Sequence, residues 1–133
     1  TTKIGCVDCC LFTSEGRILM YDRLKKFGRW GELHEESEVL AMEAESLRGT
    51  NLAKAREVSL EAAKKEEECL GHIPWDKPVE MYESFVVGAA VLYFKGGDYA
   101  GVQRVLDNYS KKVTMPHPRM RLDEVVEALM KVN

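Results

Sequence analysis

The sequence predicts an all-α fold, with six or seven helices packed as antiparallel hairpins in a single helical domain spanning residues 1–133. Two long segments consist mainly of strong helix formers and contain neither Gly nor Pro. In most of the remaining segments, apolar residues recur every three or four positions, which is the spacing of one helix face. A chain of 133 residues is long enough to bury a core without help from a metal or disulfides.

The first half of the chain is predicted to hold three or four of these helices. Apolar residues at positions 4, 7, 10 and 11 fit either a helix or a short strand, and a helix from about Ser14 to Phe27 follows. Leucines at seven-residue intervals predict an acidic helix from about Glu32 to Leu47. The next helix extends from about Leu52 to Leu70, with Thr50 or Asn51 as its N-cap.

The second half begins with a loop at residues 71–78, GHIPWDKP, in which Gly and Pro break the helical pattern. The segment from about Val79 to Lys95 is apolar on nearly every side, which is typical of a helix at the centre of a bundle. A buried β-strand over 85–94 is the alternative, because β-branched residues are frequent there. Asp98 is predicted to cap a helix that extends to about Val113, and a last amphipathic helix follows the prolines at 116 and 118.

One stretch, GAAVLYFKGGDYAGVQRVL at 88–106, carries a pattern of small and large residues. Ala90 is followed three positions later by Tyr93, a Gly-Asp-Tyr turn occupies 97–99, and Val102 and Leu106 come next. With this pattern the stretch resembles a tetratricopeptide repeat, in which such residues alternate across a helix hairpin. The segment at 21–30 has a similar form. The alternative is an irregular helical bundle without repeats.

The resemblance implies a protein–protein interaction or adaptor module that binds a peptide or partner helix in a helical groove. In that family the first helix of each hairpin lines a concave surface. The residues expected to contact a partner are Arg23, Lys26, Glu83, Val87 and Lys95.

Trp75 is a further candidate for partner binding, because it lies in the Pro-bounded loop. A loop tryptophan either packs back into the core or anchors a partner. The same residue therefore has a structural and a functional interpretation.

The charge balance and the lack of apolar runs narrow the class of protein. The chain has 19 Lys and Arg against 22 Asp and Glu, a formal net charge of −3, which argues against a general nucleic-acid binder. No run reaches the ~18 apolar residues of a membrane span. Four cysteines are too few for a disulfide scaffold, so we expect thiols in the cytoplasm. Self-association through the acidic helix is a further hypothesis.

Two cysteine-containing pairs predict an alternative function as a small zinc-dependent regulator or enzyme. Cys6-x-x-Cys9 and Cys69-x-x-His72 together provide three thiolates and one imidazole, a ligand set that Zn²⁺ accepts. The structural interpretation is that these cysteines pack as small apolar side chains.

The remaining titratable residues give no catalytic pattern. His34 and Glu38 lie one helical turn apart, and we interpret them as part of a solvated acidic face, since no second pair of this kind completes a di-iron site. No phosphate-binding glycine loop or Gly-x-Ser-x-Gly motif occurs. The sequence therefore favours a binding protein over an enzyme, and no catalytic residue is predicted.

Overall fold

The computed structural model describes residues 24–76 and 79–132, and over these ranges the chain is all-helical without a strand. It contains five α-helices and two short 3-10 turns, at Lys25–Phe27 and Ser110–Lys112. The helices are α1 (Arg29–Leu47), α2 (Leu52–Leu70), α3 (Glu80–Lys95), α4 (Tyr99–Tyr109) and α5 (Pro116–Val132). The all-α prediction is confirmed for this part of the chain, and the strand alternative at 85–94 is wrong.

The predicted six or seven helices are not all found among the described residues, which hold five. The predicted element in the first dozen residues lies outside the described part. Of the helix predicted at 14–27 only the last four residues are described, and there the chain forms a 3-10 turn before α1.

The helix bounds differ from the prediction mainly near the C-terminal end of the sequence. The helix expected to reach Val113 ends at Tyr109 and continues as a 3-10 turn. The last helix begins at Pro116, before Pro118 rather than after it. Both prolines fit the first turn, because N–H groups there have no intrahelical acceptor to lose.

The first two helices form an antiparallel hairpin. Ser37 Oγ donates to the carbonyl of Ala62 at 2.9 Å, and Cys69, at the far end of α2, lies against Trp30 at the start of α1. Asn51 caps α2, since its side chain accepts a hydrogen bond from the Lys54 N–H at 3.1 Å. This cap agrees with the local sequence signal.

Helix α3 is the centre of the described bundle, in contact with α2, α4 and α5. Its middle is buried on all sides, with Val86, Val87, Ala89 and Ala90 fully covered. Apolar side chains around the whole circumference are stable only where neighbours surround the helix. The prediction of a central helix is therefore confirmed.

The turn between α3 and α4 is built by Gly97 and Asp98. Gly97 has a φ of 79°, a left-handed conformation that glycine adopts without steric cost. The side chain of Asp98 then accepts a hydrogen bond from the Gly101 N–H at 2.9 Å and caps α4.

A hydrogen-bonded triad joins three helices beside this turn. Tyr93 on α3 donates its hydroxyl to Glu67 on α2 at 2.5 Å, and Arg104 on α4 donates from Nε to the same carboxylate at 2.8 Å. Burial and the neighbouring carboxylate raise the pKa of Tyr93 to about 12, so the hydroxyl keeps its proton.

A buried carboxylate attaches α5 to the rest of the bundle. Glu83 on α3 accepts hydrogen bonds from the N–H groups of Thr114 and Met115 at 2.7 and 2.8 Å, immediately before α5 begins. The negative charge also lies near the positive end of the helix dipole. Within the described residues, no helix is long and apolar enough to cross a membrane.

Candidate functional site

The antiparallel order of the helices brings five aromatic side chains together at one end of the bundle. This end holds the start of α1, the end of α2, the start of α3 and the end of α4. We call the group the aromatic strip; its members in order of contact are Phe27, Trp30, Tyr82, Trp75 and Tyr109.

The rings of the strip contact one another consecutively. Phe27 stacks on Trp30 with 5.5 Å between ring centroids, and Tyr82 meets the edge of Trp30 at 5.4 Å. Trp75 lies 6.1 Å from Tyr82 and 6.0 Å from Tyr109. Centroid distances of this size are those of attractive aromatic pairs, so the strip is a continuous packed surface.

The strip is covered on one side and open to solvent on the other. Phe27 is 58% exposed, whereas Trp30 is only 7% exposed. Tyr82, Trp75 and Tyr109 are half-buried. The rings thus present apolar area while the core beneath fixes their orientation.

Trp75 is held in the strip by two contacts. Its indole Nε1 donates to the carbonyl of Leu70 at 3.0 Å, and the ammonium of Lys112 lies 5.2 Å from the ring centroid. The second contact is a cation–π interaction. Trp75 therefore packs back onto the bundle and keeps part of its ring accessible.

The structure distributes the other predicted partner-contacting residues over different environments. Lys26 is exposed beside the strip, and Arg23 lies outside the described residues. Lys95 forms a 2.6 Å ion pair with Glu45 of α1. Glu83 and Val87 are 1% and 0% exposed, so both lie inside the bundle. There Glu83 accepts hydrogen bonds from the backbone just before α5.

A second group of polar residues lies buried between α1, α2 and α3. His34 on α1 contacts Glu66 of α2 through Nδ1, at 2.9 and 3.0 Å from the two carboxylate oxygens. Its other nitrogen, Nε2, lies 3.1 Å from Oε1 of Glu38. Phe85 of α3 stacks on the imidazole ring, with 3.9 Å between the two ring centroids. Since both nitrogens face carboxylates, the ring is an imidazolium that donates twice.

The electrostatics of this group favour retention of a proton. Burial lowers the pKa of His34, but the attraction and hydrogen bonds of Glu66 and Glu38 outweigh it and raise the pKa from 6.5 to about 10. For Glu66, by contrast, burial raises the pKa, and this effect is larger than the lowering caused by His34. Both shifts mean that the pair keeps its proton to a higher pH than isolated groups would.

The interpretation of His34 and Glu38 as a solvated acidic face is wrong. Their side chains are 7% and 3% exposed, because α2 and α3 cover this side of α1. The sequence did not indicate that His34 also pairs with Glu66, because Glu66 is 32 positions away from it in the chain. Gly88 on α3 makes room for it, as a Cβ there would lie 3.3 Å from Glu66 Oε2.

The two carboxylates do not converge on a common point, since they bind opposite nitrogens of His34. Residues 24–76 and 79–132 contain no group of three or more His, Cys, Asp or Glu side chains arranged to hold a metal ion. The contacts of His34 with Glu66 instead join α1 to α2.

Half of the predicted zinc site lies among the described residues. Cys69 is buried, and its Sγ donates to the carbonyl of Trp30 at 3.2 Å. Burial and the charge of Glu66 raise the pKa of this thiol, which opposes the thiolate form that zinc binds. His72 is exposed in the following turn, and Cys6 and Cys9 lie outside the described residues, so the zinc site stays a prediction.

The described residues form an all-helical fold with a partly exposed aromatic surface. Comparison with protein-family models, with curated proteins and with solved structures gave no match.

Proposed function

We propose that this chain is a protein–protein interaction module that binds a peptide of a partner protein on the aromatic strip. The observation that carries the proposal is the continuous set of five rings, of which four are partly open to solvent. Aromatic side chains provide large contact areas at low entropic cost, and they are enriched in interfaces.

The proposed ligand is a short peptide with apolar side chains that pack on the strip. Lys26 and Lys112 are exposed near its two ends, so acidic residues flanking the apolar ones would improve binding. Trp75 acts in this proposal as an anchor whose orientation is fixed before the ligand arrives, which reduces the entropy lost on binding.

The hairpin of α3 and α4 supports a helical interaction module of tetratricopeptide-like character. Ala90 and Tyr93 are buried in the hairpin, and Val102 lies on the opposing helix, fully covered. The turn between the two helices contains Gly97, whose φ is 79°. We propose the reducing cytoplasm as its compartment, since Cys69 is a free thiol.

The proposal is tested by selecting random peptides displayed on phage against the purified chain. The only two tryptophans of the chain, Trp30 and Trp75, both belong to the strip, so their indole N–H resonances report directly on its occupancy. We expect the selected peptides to shift both resonances. The variant Phe27→Ser, which alters a 58% exposed side chain, should weaken binding about tenfold.

A matched control is Met130→Ser, because Met130 is 71% exposed and lies near the C-terminal end of α5. This variant should bind the selected peptides as the parent does. The proposal fails if no peptide is enriched, or if enriched peptides leave both indole resonances in place and bind the two variants equally well.

A further inference from the structure

A second exposed surface lies on the outer side of α1, separate from the aromatic strip. Glu32, Glu36, Val39 and Glu43 follow one another at helical spacing on this side, with Met42 next to Val39. We call these five residues the acidic face. Val39 is 47% exposed and Met42 41% exposed, so its centre is apolar and open.

The acidic face is turned away from α2, and Glu35, at the edge of the face, is buried. The contacts of α1 with α2 use the opposite side of the helix, where Leu33, Ser37 and Ala44 are buried. Two large apolar side chains in adjacent turns, with nothing from residues 24–76 or 79–132 closing over them, have the spacing that anchors one helix against another.

The charge on α1 determines which kind of partner suits this face. Of the six glutamates of the helix, Glu35 and Glu38 are buried, whereas Glu32, Glu36 and Glu43 belong to the acidic face. Glu36 and Glu43 are exposed on either side of Val39, and Glu32 is half-exposed. The Lys65 ammonium lies 3.8 Å from Glu36, but their side chains are 39% and 46% exposed, so solvent screens this pair.

We propose that the acidic face binds a basic amphipathic helix of a partner protein. Apolar side chains of that helix would cover Val39 and Met42, while its Lys or Arg residues would pair with Glu36 and Glu43. A second copy of this chain docked face to face is disfavoured, because it would bring carboxylates against carboxylates. With the aromatic strip, the chain would then hold two different partners.

The test uses a synthetic helix of about 18 residues made of Leu on one face and Lys on the other, labelled for fluorescence anisotropy. A peptide with Glu in place of Lys is the charge-reversed probe. We expect the Lys peptide to bind, to bind more weakly at high salt, and to shift amide resonances of Val39 and Met42. The Glu peptide should not bind.

Two double variants separate apolar contact from charge. Val39→Ser with Met42→Ser should raise the Kd for the Lys peptide about tenfold or more. Glu36→Gln with Glu43→Gln should weaken binding and reduce its dependence on salt. Both change exposed side chains, so circular dichroism should show an unchanged fold.

Matched controls are Met120→Ser with Met130→Ser, which alter two exposed methionines of α5, and Phe27→Ser in the aromatic strip. None should change the Kd of the Lys peptide, so the result is independent of the function proposed for the strip. The proposal is overturned if the Val39 and Met42 variant binds as the parent does, or if the Glu peptide binds equally well. It is also overturned if light scattering reveals that the parent is a dimer and that the Val39 and Met42 double variant is a monomer.

Discussion

At the scale of single residues, His34 is a buried group whose pKa is raised far above its ordinary value. Its ring lies between two carboxylates and against Phe85, with little access to water. A buried cation of this kind is stable only while its partners remain, because an unpaired buried charge costs several kcal/mol.

The protonation of His34 makes the stability of the fold depend on pH. In the folded state its pKa is about 10, against an ordinary value of 6.5, so the folded protein holds a proton that the unfolded chain releases. The stabilisation is complete below the ordinary pKa and is lost as the pH rises to the folded one. Urea denaturation should show the free energy of unfolding falling by up to about 1.4 kcal/mol per pH unit across this range.

The matched variant for this measurement is His34→Gln, which is neutral at every pH. It should be less stable than the parent at neutral pH, and the difference between the two proteins should shrink as the pH rises. Parallel curves for both proteins would contradict the assignment.

Single-residue features differed in how far the sequence could predict them. Asp98 was recognisable as an N-cap, and the cap of α2 was narrowed to Thr50 or Asn51, because the N–H that a cap accepts from lies three residues along the chain. The pairing of His34 with Glu66 was not, because it depends on how α1 and α2 align. A glutamate on an acidic helix gives no local sign that it will be buried.

At the scale of helices, the close approach of α3 and α4 depends on Gly101. A Cβ at this position would lie 2.5 Å from the ring of Tyr93, which is 1% exposed and has no space to move. Small residues at such crossings allow two helices to pack closely. The sequence signalled this hairpin because its small and large residues alternate over a short stretch.

Gly101→Ala should therefore destabilise the protein by about 1–3 kcal/mol through overpacking. Helix propensity alone predicts the reverse, since Ala is favoured over Gly in a helix by about 1 kcal/mol. Chemical denaturation decides which effect prevails. The control is Gly49→Ala, where a Cβ meets no atom within 4 Å; it should be neutral or slightly stabilising.

The attachment of α5 through Glu83 provides another prediction. Glu83→Ala removes the acceptor of the Thr114 and Met115 N–H groups and should cost about 1–3 kcal/mol. Glu83→Gln keeps one carbonyl oxygen and should cost less. Hydrogen exchange at the two amides should accelerate most in the Ala variant; equal rates in all three proteins would contradict the capping role.

Helix existence was predictable from the sequence and helix ends only in part. α2 has the predicted bounds because a cap and a glycine mark its two ends. The end of α4 at Tyr109 was missed, since the residues that follow are compatible with a helix and form a 3-10 turn instead. The aromatic strip was missed as a unit, because its rings come from separate parts of the chain; only Trp75 drew attention by its loop position.

At the scale of the whole molecule, we expect α3 to make the described part of the chain unfold as one cooperative unit. Its contacts with α2, α4 and α5 mean that no hairpin can open without exposing apolar surface. The buried side chains form one continuous core cluster that includes residues of all five helices.

Val87→Ala tests this cooperativity. Val87 is 0% exposed in the centre of α3, so the cavity should cost ~2 kcal/mol. Tryptophan fluorescence, which reports the end with the strip, and circular dichroism, which reports all helices, should shift by the same amount in a single transition. Two unfolding transitions, only one of which is shifted by the Val87→Ala substitution, would indicate that parts of the bundle unfold independently.

The aromatic strip consists of rings that are adjacent only when several helix ends meet. A ligand that spans these rings has no equivalent site on the unfolded chain, so its binding raises the melting temperature by mass action. At a ligand concentration one hundred times its Kd, the free energy of unfolding rises by about 2.7 kcal/mol. A thermal-shift screen that compares the parent with the Phe27→Ser variant can therefore find ligands whose binding depends on the strip.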